Sequence, residues 1–395
     1  MDEKPTIAPR TTGQHAEIAG AGIGGLATAC VLAQRGWSVR IHERSPELRE
    51  MGAGLYLKIN ALMGLRDIGI LDEIRRRGET LREGVVTGRG GHELAKRPPL
   101  VKGETIVALR GDLHRALAQR AEALGVEFCT TSTVQGARAE GLLLLEGGEA
   151  KSADLVIGAD GYRSVVRDSL GLRRGSKTLP EGAIRILVDR HPNERAGLTT
   201  EQWSGDCRLG IVPCSPDKLY LYMIGPAGHP RASANPVDKA FWRERFPEEA
   251  AVLDRIDPAT GHYDRLSMVS VTRWSRGKVG VIGDAVHAQP PNLGQGAGMT
   301  IANACALGAA LDDHPHDIPA ALAAWEAARR PLTEQVQHWS YRYGLIFYAL
   351  PTGGGVGEKA RSALIRLIGR WGFTASRLAL LQRGGFHLRH DTLDF

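Results

Sequence analysis

Three glycines near the amino end and a glutamate downstream have the residue types and spacing of a dinucleotide-binding turn. Gly20, Gly22 and Gly25 form a GxGxxG sequence after a short, partly apolar strand, and Glu43 ends a second strand. The first glycine permits a tight bend, the second lets backbone approach a pyrophosphate, and the third lets helix and strand pack closely. A carboxylate about 20 residues further on can accept hydrogen bonds from a ribose diol. The spacing therefore predicts a dinucleotide site.

This turn by itself does not distinguish FAD, NAD and NADP. The carboxylate of Glu43 argues against a 2′-phosphate at the same place, because the two negative charges would repel. A purely structural glycine turn is the alternative, since glycines also serve plain turns. A strand, a helix and an acidic residue in register with the glycines favour dinucleotide binding.

Two later strand ends carry further polar groups. Asp160-Gly161 follows a strand that ends near Ile157, and Asp284 follows an apolar strand over 279–282. Because ligands of α/β sheets bind outside the carboxyl ends of the strands, these carboxylates are expected in the same crevice. The loop after Asp284 then leads into a helix from about Gly296, whose first N–H groups offer a site for an anion.

The composition limits the classes of function. The chain has 395 residues, of which 43% are hydrophobic and 24% charged, as expected for two joined domains. The net charge of +6 is scattered, so no nucleic-acid partner is expected. The sequence has no secretory signal and no apolar run of membrane length, which predicts a cytoplasmic protein with no membrane partner. Five cysteines without a CxxC pair predict neither disulfides nor a metal site, and all five are interpreted as buried thiols.

The pattern of elements predicts an α/β fold in which a second domain interrupts the first. Runs with alternating hydrophobicity between 173 and 272 predict an antiparallel sheet, whereas the flanking segments read as strands and helices of one Rossmann-like domain. The predicted FAD-binding parts are 15–75, 110–172 and 273–345, the substrate-domain parts are 76–109 and 173–272, and 346–395 forms C-terminal helices. Residues 1–14 are interpreted as a leader and 353–357 as a linker.

The order of GxGxxG with Glu43, Asp160-Gly161 and Gly283-Asp284 resembles the class A, single-component flavoprotein monooxygenases of the para-hydroxybenzoate hydroxylase family. The resemblance covers residues 16–345 and is strongest to the members that act on hydroxypyridines. It implies the family fold, a Rossmann-like FAD-binding domain with an interleaved α+β substrate domain. Glu17 and Asn303 depart from the family pattern, which usually has an aliphatic and an acidic residue at these positions.

The resemblance also implies roles for individual residues. The positions that match FAD-binding residues of the family are Gly20, Gly22, Gly24, Gly25, Glu43, Arg44, Arg110, Asp160, Gly161, Asp284, Gly294 and Gly296. The positions that match its substrate and reaction site are Arg208, Tyr220 and the carbonyl of Pro291. Arg208 would hold a substrate carboxylate or oxyanion, and Tyr220 would hydrogen-bond a ring hydroxyl, although a packed core tyrosine is an equal alternative for Tyr220.

The implied activity is hydroxylation of a small phenolic or hydroxypyridine ring that carries a carboxylate. FAD would be bound non-covalently, NADH or NADPH and O2 would be co-substrates, and a flavin C4a-hydroperoxide would transfer the oxygen atom. Ring opening or side-chain loss, and a monomer or homodimer, are left open. A flavin-dependent reductase or halogenase and a non-catalytic FAD- or NAD-binding protein are the alternatives. The halogenase is disfavoured because the WxWxIP pattern is missing.

Overall fold

The computed structural model describes residues 12–48, 52–97, 104–348 and 355–370. Its strands in chain order are β1 (His15–Ala19), β2 (Ser38–His42), β3 (Gly54–Leu57), β4 (Glu79–Thr80), β5 (Glu83–Thr87), β6 (Glu93–Arg97), β7 (Ile106–Leu109), β8 (Glu127–Cys129), β9 (Val134–Arg138), β10 (Leu142–Leu145), β11 (Ala150–Ser152), β12 (Leu155–Gly158), β13 (Arg173–Asp189), β14 (Leu198–Ser204), β15 (Cys207–Pro213), β16 (Lys218–Pro226), β17 (Tyr263–Val271), β18 (Ser275–Arg276) and β19 (Val279–Val281). Its α-helices are α1 (Ile23–Ala33), α2 (Ile59–Ile68), α3 (Leu71–Arg77), α4 (Arg110–Ala123), α5 (Val165–Ser169), α6 (Lys239–Arg245), α7 (Ala250–Leu253), α8 (Asp284–His287), α9 (Gly296–Asp313), α10 (Ile318–Tyr348) and α11 (Gly355–Arg370).

One sheet is built from segments scattered over most of the chain. Its strand order is β18-β19-β12-β1-β2-β8, and all neighbours are parallel except β18 and β19. The central strands are buried and, apart from His15 and Glu17 on β1, apolar, as expected when helices cover both faces of a parallel sheet. The carboxyl ends of β1, β12 and β19 therefore meet at one edge, where Gly20, Asp160 and Asp284 follow them.

The second large sheet has the order β17-β13-β16-β15-β14-β5-β6. Its pairs are antiparallel except β14 with β5, which run parallel. The antiparallel pairing predicted for 173–272 is confirmed among β13 to β17, and the parallel pair forms where β5, from the segment 76–109, joins β14. β5 and β14 come from distant parts of the chain, so no hairpin forces them to run in opposite directions. Trp242, Phe246 and Leu221 are among the residues of the separate core on this sheet.

The two positions that depart from the family pattern are both satisfied by buried partners. Glu17 on β1 accepts a hydrogen bond from His42 at 2.7 Å and faces Arg40 at 3.1 Å. Burial raises the pKa of the Glu17 carboxyl, but hydrogen bonds from His42 and His15 outweigh burial and leave the pKa below its usual value. Asn303 on α9 accepts a hydrogen bond from the buried Arg329 at 2.9 Å. The neutral amide thus occupies a place where a carboxylate would form an ion pair.

The structure describes only part of each chain end. The interpretation of 353–357 as a linker is corrected in part, because α11 already begins at Gly355. Most of the interpreted leader, residues 1–11, and the expected continuation of the last helix beyond 370 lie outside the described residues. Among the helices that the structure describes, none combines the length and apolar character that crossing a bilayer requires.

The cysteines give a prediction about reactivity. Cys30, Cys207, Cys214 and Cys305 are buried, whereas Cys129 is half-buried, which corrects the interpretation of all five as buried. Burial raises the pKa of each of the four buried thiols to about 12. We therefore expect iodoacetamide at about pH 8 to alkylate Cys129 before any other cysteine of the native protein, because the thiolate is the nucleophile. Peptide mass mapping with the Cys129→Ser variant as control checks this, and early labelling of any buried cysteine would contradict it.

Candidate active site

A single cleft of about 1610 Å³ runs from the carboxyl edge of the parallel sheet to the face of the second sheet. All but one of the predicted site residues line it: Gly20, Gly22, Gly24, Glu43, Arg44, Arg110, Asp160, Gly161, Arg208, Tyr220, Asp284, Pro291, Gly294 and Gly296. Arg185, which was not predicted, lines it as well. Gly25 is the exception and lies buried beneath the turn. The tertiary structure thus brings together residues from every part of the chain between 20 and 296.

The glycine turn is shaped by close backbone contacts. Gly20 has a φ of +96°, and a Cβ atom on it would lie 2.7 Å from the carbonyl oxygen of Ala159. A Cβ atom on Gly25 would lie 1.9 Å from the carbonyl oxygen of Gly20, so only glycine fits. Gly22 is the N-cap of α1 and has no capping side chain, while Gly24 packs against Thr300. The first N–H groups of α1 are therefore open to an anion such as a pyrophosphate.

Glu43 is held in place beside this turn. One carboxylate oxygen accepts a hydrogen bond from the N–H of Ala21 at 3.0 Å, and the other from the N–H of Ser45 at 3.0 Å. Each oxygen keeps a further lone pair for a ribose hydroxyl. Arg44 is exposed at the cleft, and the side chain of Arg110 passes directly under Gly52.

Two carboxylates occupy the middle of the cleft. One oxygen of Asp160 accepts hydrogen bonds from the N–H groups of Val165 at 2.8 Å and Val166 at 3.2 Å. The other is buried and accepts no hydrogen bond from the described part of the chain, so it suits a donor on a ligand. Burial raises the pKa of the Asp160 carboxyl against the opposing effect of its hydrogen bonds. Asp284 is exposed to the cleft at the start of α8, next to Gly283 with φ +69°.

The loop before α9 forms the opposite wall. Gly294 has a φ of +57°, and a Cβ atom on it would lie 3.0 Å from Cβ of Tyr56. Gly296 begins α9 with open space beside it. The carbonyl of Pro291 accepts a hydrogen bond from the N–H of Gly294 at 2.9 Å, so it keeps one lone pair for a ligand. The glycine cradle, the free lone pair of Asp160 and this open helix end together fit a bound flavin dinucleotide.

We define the substrate chamber as the part of the cleft that faces the second sheet. Its lining includes Tyr56, Val85, Val86, Ala95, Ala183, Arg185, Glu201, Arg208, Tyr220, Tyr222, Ile224, Tyr343 and Ile365. Tyr220 is buried, and a Cβ atom on Gly54 would lie 2.7 Å from its ring. Burial raises the pKa of the Tyr220 hydroxyl, opposed by the nearby Arg185 guanidinium, so the phenol is neutral at physiological pH.

Arg208 belongs to a buried polar network. It is 5% exposed, donates a hydrogen bond to Oδ1 of Asn292 at 2.6 Å, and has Nη1 3.9 Å from the carboxylate of Glu201. Glu201 also accepts hydrogen bonds from the Tyr222 hydroxyl at 2.6 Å and from Nε1 of Trp203 at 2.9 Å. Burial raises the pKa of Tyr222 well above its usual value, and the negative charge of Glu201 adds to this. Glu201 is therefore the centre of the network.

Glu201, Asn292 and Arg185 were not identified from the sequence. A signal was present for Arg185, because it interrupts the apolar run 183–188, and a charged residue there needs a buried partner or a ligand. Glu201 lies in the largely polar strand β14 and gave no such signal. Asn292 carries no such signal, since a polar residue in a loop is ordinary. Its role depends on Arg208, which reaches it only in the folded chain.

The fold and the site define a flavoprotein of the aromatic hydroxylase class. The model of the FAD binding domain family matches residues 14–340, and the chain belongs to this family. This confirms the expected fold and FAD as the cofactor.

Related proteins point to monooxygenases. A putative 2-heptyl-3-hydroxy-4(1H)-quinolone synthase of Rhodococcus erythropolis is 36% identical over 83% of this chain and 87% of its own length. A 2-heptyl-3-hydroxy-4(1H)-quinolone synthase of Mycobacteroides abscessus is 35% identical over 90% of this chain and 95% of its own. The solved tetrameric form of 2-methyl-3-hydroxypyridine-5-carboxylic acid oxygenase is 35% identical, with a TM-score of 0.80 over 88% of this chain and 96% of that chain. The chain is accordingly an FAD-dependent monooxygenase.

Proposed function

We propose that this enzyme uses NADH or NADPH and O2 to hydroxylate an apolar nitrogen heteroaromatic compound of the 2-alkyl-4(1H)-quinolone type. The observation that carries the proposal is the substrate chamber. Most of its lining residues are aromatic or aliphatic, from Tyr220 to Val85, and its buried Arg208 already contacts Asn292 and Glu201. Such a chamber suits a largely apolar ligand with few polar groups.

The surroundings of Arg208 favour this substrate over a small carboxylated pyridine. A substrate carboxylate that approached Arg208 would also approach the carboxylate of Glu201, which lies 3.9 Å from the same guanidinium. Two carboxylates that share one buried cation repel each other, so the second carboxylate gains little binding free energy from that cation. A neutral quinolone avoids this repulsion. We therefore propose that Arg208 holds the chamber wall and does not serve as the expected anchor for a substrate carboxylate or oxyanion.

The chain would contribute binding, orientation and exclusion of water. FAD, when bound in the glycine cradle, supplies the oxygen-activating redox chemistry. The neutral Tyr220 hydroxyl can donate a hydrogen bond to the ring oxygen of a quinolone, and the carbonyl of Pro291 can accept one from a ring N–H. Together they would fix which ring carbon faces the flavin. The apolar walls exclude water from that place.

A hydroxypyridine carboxylate remains a second candidate because of Arg185. This arginine is half-buried, lines the chamber and lies next to the Tyr220 hydroxyl, where a small anionic ring could meet it. The identity of 35% to the hydroxypyridine carboxylate oxygenase supports the same candidate.

The experiment measures NADH and NADPH oxidation, oxygen uptake and product mass for the FAD-loaded enzyme. The compounds are a 2-alkyl-4(1H)-quinolone without a 3-hydroxyl group and 2-methyl-3-hydroxypyridine-5-carboxylate. We expect the quinolone to stimulate oxidation at least about tenfold, a difference of about 1.4 kcal/mol in the barrier, with one oxygen atom gained. Stimulation by the pyridine alone would favour the second candidate. A rate of NAD(P)H oxidation that no aromatic compound changes would favour a reductase or a non-catalytic flavoprotein.

A further inference from the structure

The C-terminal helix α11 contributes to the wall of the substrate chamber. Ile365 of α11 lines the cleft and packs on the buried cluster of Val86, Leu94 and Trp203. Val86 of this cluster belongs to β5 and Leu94 to β6, which are the two strands at one edge of the second sheet. The residues that the family resemblance assigned to binding or catalysis end at Gly296, so the resemblance gives no role to α11.

Two charged side chains fix α11 to the turn between β14 and β15. Arg361 is 1% exposed, donates a hydrogen bond to the carbonyl of Gly205, and has its guanidinium 5.5 Å from the centre of the Trp203 ring. Glu358 accepts a hydrogen bond from the N–H of Gly205 at 3.3 Å. Both backbone groups of Gly205 are thus bound by one helix. Ile365 lies one helical turn beyond Arg361 and is held over the chamber by this contact.

The position of α11 matches the distance that a substituted quinolone would span. Tyr220 lies on β16, and the sheet order from there is β15, β14, β5 and β6. At about 4.8 Å between neighbouring strands, β6 is roughly 19 Å from β16. A bicyclic ring placed beside Tyr220 would direct an extended alkyl substituent across β15 and β14 towards Val86 and Ile365.

We infer that Ile365 is a specificity-determining residue that limits the length of the apolar substituent on the substrate. The inference rests on the proposed function and names the part of the ligand that α11 contacts. The aliphatic side chain of Ile365 would stabilise an alkyl substituent that is just long enough to reach it. It would sterically exclude a longer substituent. Each methylene that is buried contributes roughly a fourfold gain in affinity until the chain meets the wall, after which affinity falls.

The test compares kcat/KM and flavin-perturbation Kd for 2-methyl, 2-pentyl, 2-heptyl and 2-nonyl quinolones. Ile365→Ala removes side-chain volume, so the optimum is expected to move to a longer chain, with a gain of about fourfold or more for the longest compound. Ile365→Trp adds side-chain volume and is expected to weaken binding of the longer compounds about tenfold. The affinity for the 2-methyl compound is expected to stay unchanged. The matched controls are Leu367→Ala and Leu367→Trp on the same helix, because Leu367 is 54% exposed. Both controls are expected to keep the wild-type profile.

The outcomes separate the inference from the proposed function. An active wild-type enzyme with the same chain-length profile in both Ile365 variants would overturn the inference alone. A wild-type enzyme that neither binds nor oxidises any quinolone would overturn the proposed function and the inference with it. Ile365→Ala adds no bulk, so it decides the question if Ile365→Trp fails to fold. FAD content and melting temperature of each variant identify such a failure.

Discussion

The Gly25→Ala variant is expected to fold without retaining FAD. The added Cβ atom would lie 1.9 Å from the carbonyl oxygen of Gly20, which is backbone and has no flexible end to yield. The N-terminus of α1 must therefore move away from β1, and the N–H groups that face the pyrophosphate lose their positions. We expect FAD affinity to fall at least about 100-fold, equivalent to about 2.7 kcal/mol of binding free energy. Flavin fluorescence after gel filtration and titration of the apoprotein with FAD measure the change.

The control for this variant is Gly111→Ala. Gly111 lies in the first turn of α4 in the same domain, and a Cβ atom on it would meet no atom within 4 Å. Alanine there is expected to leave FAD affinity unchanged and to raise the melting temperature slightly, because alanine favours the helix. Wild-type FAD affinity in Gly25→Ala, with a correctly measured control, would show that the turn does not hold the cofactor as proposed.

The Glu201→Leu variant is expected to lose both stability and activity. Leucine removes the carboxylate that the Tyr222 hydroxyl and Nε1 of Trp203 bind, and it takes away the negative charge that lies 3.9 Å from the 5%-exposed Arg208. Breaking a buried charge pair from one side typically costs about 3 kcal/mol or more in the free energy of unfolding. Substrate-stimulated NAD(P)H oxidation is expected to fall at least about tenfold, because the chamber wall rearranges. Urea unfolding and steady-state kinetics measure these two effects.

A second substitution tests whether the uncompensated charge is the cause. The double variant Glu201→Leu with Arg208→Leu is expected to be more stable than Glu201→Leu alone, because it also removes the buried cation that the Glu201 carboxylate balances in the native protein. Arg195→Ala serves as the exposed control: Arg195 pairs with Glu83 at 3.0 Å and is 68% exposed. That variant is expected to change stability by less than about 0.5 kcal/mol. If the double variant is less stable than Glu201→Leu, the stability loss has another origin, such as the cavity left by the carboxylate.

The substrate end of the site was the least predictable from the sequence. Arg208 was identified as a candidate anion anchor, which is what an arginine in an apolar strand indicates when no partner is known. The structure provides partners from two other segments, Glu201 on β14 and Asn292 before α9. Pairing between strands and contacts between domains are long-range, so no local pattern reveals whether a buried charge is already compensated.

The sequence by itself determined the fold class and a dinucleotide site, and its resemblance to a known family predicted FAD and a monooxygenase reaction. The glycine spacing, Glu43 and the two carboxylates after strands are local features, because each follows the end of its own strand. The tertiary structure alone decided that β5 pairs parallel with β14, that Glu201 lies beside Arg208, and that Ile365 of α11 lines the chamber. The physical reason is that strand ends are encoded by neighbouring residues, whereas the shape and charge of a chamber depend on contacts between residues far apart in the chain.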